Sequence, residues 1–177
     1  MRIRKTIAAF TLFTLSALSI SDTISLRPVE AQPPVNYRNA GCRDFVTGAY
    51  LVRFSTTNGD VIARAVMTFT SDGNIFIVES AQNGIPGVVN PFGDAQGAWK
   101  CTCNRKITAK TLNFGYPGEL GAANQTRTDF SVTFNPQTQT VQGTLAVRFF
   151  DFNVNPLTTD APIVATFVLE GQRITVD

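Results

Sequence analysis

The chain has no histidine, one tryptophan, two methionines and three cysteines among its 177 residues, and only 16% of it is charged. Without histidine, Ser-His-Asp and Cys-His catalytic constellations are excluded, and so is any metal site built on imidazole. The 15 basic and 13 acidic residues nearly cancel, which leaves no basic footprint of the kind that nucleic acid requires. Long hydrophobic runs are also missing. The longest, Ile7 to Ile20, is interrupted by Thr11, Thr14 and Ser16 and falls short of the roughly 20 residues needed to span a bilayer. No stretch keeps a sustained helical apolar period.

The two ends of that run explain it. Met1-Arg2-Ile3-Arg4-Lys5 precedes it, and Val29-Glu30-Ala31 stands before Gln32. A basic start, an apolar middle and a small-residue cleavage site are the parts of a secretory signal peptide. Residues 1–31 are therefore expected to be removed near Ala31, leaving no transmembrane anchor and a secreted or periplasmic protein; an uncleaved anchor is the competing reading. The remaining 146 residues would carry 11 basic and 11 acidic side chains, so the alkaline pI belongs to the export segment.

The rest of the chain has the pattern of strands. Residues 32–44 form a Pro-containing extended lead, and 45–177 suit one domain large enough to bury a real core. Apolar residues alternate along it. Tyr50, Val52 and Phe54 share one face, as do Ala63, Ala65, Met67 and Phe69; so do Phe130, Val132 and Phe134, then Leu145, Val147 and Phe149, and finally Ile163, Ala165, Phe167 and Leu169. This period of two marks half-buried strands. Asn58-Gly59 and Asp72-Gly73 are two-residue hairpin signals, and Asn135-Pro136 and Glu170-Gly171 mark further turns. Eight or nine strands result: 46–56, 60–70, 74–80, 96–103, 106–114, 127–135, 140–150, 162–169 and 172–176. An all-β antiparallel meander closed into a barrel is predicted, because closure removes aggregation-prone edges; a two-sheet sandwich is the alternative.

Gly48-Ala49-Tyr50 on the first strand, followed about 80 residues later by Thr128-Asp129-Phe130, resembles the lipocalin pattern of Gly-x-Trp and Thr-Asp-Tyr. Tyr50 stands where that family has Trp. The resemblance implies an eight-stranded barrel around a small apolar ligand, but no late helix is in evidence. The chain also looks like small exported bacterial β-proteins, and barrels of the allene oxide cyclase and dirigent type fit its size.

Few side chains are left to do chemistry. Exported cysteines oxidise, so Cys42 is expected to pair with Cys101 or Cys103, leaving one thiol over. Asp94 and Glu119 fall in separate loops, and nothing in the sequence joins them as a catalytic pair. Register offers a sharper clue. A two-residue loop at Asn58-Gly59 sets Arg53 opposite Arg64, and one at Asp72-Gly73 sets Glu79 beside Val66, on the same face. Opposed like charges are unfavourable unless offset; Glu79 or a bound anion would do so, making Arg53, Arg64 and Glu79 the candidate ligand-binding residues. The other face, with Phe76 and Val78 added to the apolar set above, is the better core, so the charged face is expected outside. A four-residue loop at Asn135 likewise opposes Arg127 and Arg148, with Asp129 diagonal. The loop 83–95 carries Ile85, Val88, Val89 and Phe92, a lid or docking patch. No cofactor or metal is expected. The functional reading is a β-barrel that binds a small hydrophobic molecule. A filled-barrel envelope or interaction protein and a histidine-independent isomerase or cyclase are the alternatives.

Overall fold

The computed structural model describes residues 40–103 and 105–176. The proposed signal peptide and residues 32–39 lie outside the described residues. One short helix, α1 (Ala40–Val46), is followed by β1 (Gly48–Ser55), β2 (Val61–Phe69), β3 (Asn74–Glu79), β4 (Ala95–Cys103), β5 (Lys106–Gly115), β6 (Asn124–Asn135), β7 (Thr140–Phe150) and β8 (Ala165–Arg173). The strands pair antiparallel in chain order, and β8 returns to β1, so the sheet is a closed eight-stranded barrel. The meander and the closure are as the alternation and turn spacing predict, with eight strands.

The ninth expected strand is absent because Glu170-Gly171 is not a turn. Gly171 sits inside β8, opposite Val52 on β1 and Val141 on β7. A Cβ there would lie 2.5 Å from the Leu51 carbonyl oxygen, closer than real side chains come. The glycine lets two backbones approach where the barrel closes.

Residues 40–44 also differ from the expected extended lead, since they belong to α1. Cys42, Phe45 and Val46 lie three and four residues apart, the spacing that puts side chains on one face of a helix, and all three pack against the core. Seven residues are too few for that period to stand out in the sequence. The helix stoppers one end of the barrel, and the Cys42–Cys101 disulfide ties it to β4. The Tyr50 hydroxyl donates to the Phe45 carbonyl at 2.9 Å. Arg173 reaches Phe45 and Thr47 carbonyls, with its guanidinium 5.7 Å from the Tyr50 ring centre.

Above the helix the barrel is filled by aromatic side chains. Tyr50, Phe69 and Phe134 meet edge to face at 5.3–5.8 Å, and Trp99 joins them at 6.0 Å from Phe69. Such pairs contribute about 0.5–1.5 kcal/mol each beyond the area they bury. Val52, Met67, Ile75, Ile77, Val132 and Leu169, all nearly inaccessible, continue the same cluster.

Candidate functional site

The two first hairpins share one turn and differ in register. Thr56-Thr57-Asn58-Gly59-Asp60 and Thr70-Ser71-Asp72-Gly73-Asn74 both close three-residue loops ending on a positive-φ glycine (95° and 96°). In each, the threonine hydroxyl accepts the amide of the residue after that glycine. Such a loop displaces the register by one from that of a two-residue turn. In the first hairpin an extra residue on β2, Ile62, restores it: Phe54 faces Ala63 while Ser55 faces Val61. Arg53 therefore does oppose Arg64. In the second hairpin nothing compensates. Glu79 faces Ala65, not Val66.

A one-residue slip turns every side chain of a strand to the other face. Phe76 and Val78, expected inside, are 40% and 52% exposed on the outer wall. Glu79 instead points into the barrel, and the structure does not bring it to Arg53 and Arg64, which face out. Arg53 is offset across the closing seam by Glu170, its direct neighbour on β8 at 2.6 Å. That pair is half-exposed and worth about 0–1 kcal/mol. Burial pushes the Glu79 carboxyl up to about 7. Among the described residues it has no hydrogen-bond or ion-pair partner.

Of the loop 83–95, Ile85 and Phe92 pack against the core, whereas the tip residue Val88 is exposed. Ile85 bridges Val89, and Phe92 bridges Gly115 at the end of β5. The apolar residues thus tuck this loop onto the end of the barrel opposite α1.

The second charged register holds as predicted. Asn135 pairs with Thr140, and Arg127 with Arg148. Asp129 accepts from both guanidinium groups, at 3.2 Å from Arg127 Nε. The pair is outside the barrel wall, yet Arg127 is buried and Arg148 partly so, because the segment 151–160 folds back over them. Arg127 Nη1 donates to the Pro156 carbonyl at 2.6 Å and the Thr159 carbonyl at 3.0 Å. Its Nη2 lies 3.2 Å from Asp160 Oδ1, and Arg148 Nε donates to the Ala161 carbonyl at 3.0 Å. The Arg127 side chain is only 8% exposed. Gln125 Nε2 adds bonds to the Asp151 and Val154 carbonyls, both 3.0 Å. Charge-assisted bonds of this kind are the strong ones. They give an otherwise irregular segment a fixed shape.

Between that segment and the wall lies a groove of about 410 Å³ that is broadly open to solvent. Its floor is Leu112 and Gln125, outward-facing on β5 and β6, and its flank is Phe152 to Leu157, with Phe152 and Leu157 more than half exposed. Phe152 stacks on Phe114 at 6.1 Å. No family model matches this chain, and no curated protein or solved structure does. The site therefore rests on its own geometry. Sequence reasoning missed all its lining residues. The available signal was Arg127 opposite Arg148 beside a Pro- and Asn-containing loop: two adjacent cations on an outer wall need more acceptors than Asp129 offers.

Among the described residues no three His, Cys, Asp or Glu side chains cluster as a metal site would require. Nor is any helix there long and apolar enough to cross a membrane.

Proposed function

We propose that the protein is an exported β-barrel that binds a small, mostly apolar molecule, and that the molecule sits outside the barrel wall under the 151–160 segment. The observation that carries this reading is the groove itself. Its volume falls in the range of about 300–1,000 Å³ typical of small-molecule sites, and its 152–157 flank is held in shape by Arg127 and Arg148 before any ligand arrives. A preformed site avoids the ordering cost of binding. The aromatic cluster inside the barrel argues for the outer site over an interior one of the lipocalin kind. Export is supported by the signal-peptide pattern and by the Cys42–Cys101 disulfide, which suits an oxidising compartment.

Native mass spectrometry of the protein isolated gently from the exported fraction tests both parts. The expected result is a chain starting within a few residues of Gln32 that carries extra mass from one small molecule. A chain retaining Met1 would overturn the export reading. A bare mass that stays bare across a panel of small apolar compounds would overturn the binding reading.

A further inference from the structure

We infer that the groove under the 151–160 segment selects an electrically neutral aromatic molecule bearing one hydrogen-bonding substituent, and rejects carboxylates and ammonium ions of the same shape. The inference rests on the binding reading above and adds the chemical class of its ligand.

The lining carries no charged residue. Beside it, Arg127, Arg148, Asp129 and Asp160 are engaged with one another, and Asp151, next to Phe152, is exposed to solvent. Arg127 Nη1 spends both of its donors on loop carbonyls. An ionic group seated against the apolar part of the lining would give up part of its hydration and find no counter-charge in that lining, and burying a charge without a partner is costly. The apolar part of the lining is Phe152, already stacked on Phe114, with Leu112, Val154, Pro156 and Leu157 around it. A second aromatic ring on Phe152 would extend the stack, a favoured geometry for such rings.

The polar part is made of side-chain amides. Gln125 Nε2 is committed to two loop carbonyls, and Asn155 Oδ1 accepts the Leu157 amide at 2.9 Å. What remains is the Asn153 amide and the Asn155 Nδ2 donor. Amide groups both donate and accept, so they match a hydroxyl or carbonyl on the ligand and add no charge preference of their own.

The test uses three probes with one ring system: 2-naphthalenemethanol, 2-naphthoate and 2-naphthylmethylammonium, titrated calorimetrically into the disulfide-intact protein at neutral pH. The alcohol is expected to bind at least tenfold more tightly than either ion. Leu112→Trp, which fills the floor, should abolish binding of the alcohol. Asn153→Asp, at an exposed position, should weaken the alcohol and raise the ammonium-to-alcohol affinity ratio about tenfold. If the ions bind as well as the alcohol, the neutral-ligand inference fails while the groove stands. If none of the three binds, or Leu112→Trp binds them unchanged, the groove reading fails and takes the inference with it.

Discussion

Replacing Glu79 by Gln should stabilise the protein, by an amount that grows as pH rises from about 4.5 to about 7. The carboxyl is pushed from an ordinary 4.5 up to about 7 by burial, with no partner to offset the loss of water. Between those two values the folded chain holds a proton that the unfolded chain has released. Stability must then fall as pH rises through this window, because the native state binds more protons. Below about 4.5 both states are protonated and the cost vanishes. Above about 7 it is fully present, and at 1.36 kcal/mol per pKa unit it amounts to at most about 3 kcal/mol. Glu79 keeps partial access to solvent, so that value is a ceiling. Gln has the same shape and no titration. Urea unfolding followed by the single tryptophan, at intervals from pH 4 to pH 8, reads the difference directly, and other titrating groups cancel between wild type and variant. The expected outcome is near-equal stability at pH 4, with Glu79→Gln ahead by one to about three kcal/mol at pH 8. A difference that is constant across this range, or wild type gaining on the variant as pH rises, would refute the inward, unpartnered placement of the side chain.

The same geometry sets two further outcomes. Arg127→Met should free the 151–160 segment and leave Asp129 with one cation fewer; losing these charge-assisted bonds should cost about 2–3 kcal/mol, and limited proteolysis should cut between 151 and 160, where the wild type resists. Reducing the Cys42–Cys101 bridge, whose partners are 59 residues apart, should lower stability by up to about 4 kcal/mol in the chain-entropy model, read as a shift in the urea midpoint with and without reductant; an unchanged midpoint would mean that α1 holds its end of the barrel without the bridge.

Much of the barrel was readable because alternation and glycine turns report local facts. The inward faces of β1, β2 and β6 stand where the period of two puts them, and the Asn135 loop set the β6–β7 register correctly. What failed was non-local. Asn58-Gly59 and Asp72-Gly73 look alike and form the same turn, yet one hairpin carries the Ile62 bulge and the other does not. Only packing against the rest of the barrel decides that, and it sent Glu79 inside. Gly171 read as a turn because a glycine before a polar residue looks the same whether it bends the chain or admits a neighbouring backbone. The opposition of Arg127 and Arg148 was visible from register, but the acceptors that cover the pair come from a loop around 30 residues downstream, with no periodicity to announce where it folds.

The most direct test of the account is to locate a bound probe relative to the barrel wall. In amide and side-chain NMR spectra titrated with 2-naphthalenemethanol, the shifts should concentrate on Leu112, Gln125 and residues 152–157, while the indole of Trp99 and the rings of Tyr50 and Phe69 stay unmoved. Shifts centred on those interior aromatic residues, with the 151–160 segment silent, would place the ligand inside the barrel and contradict the outer-wall site.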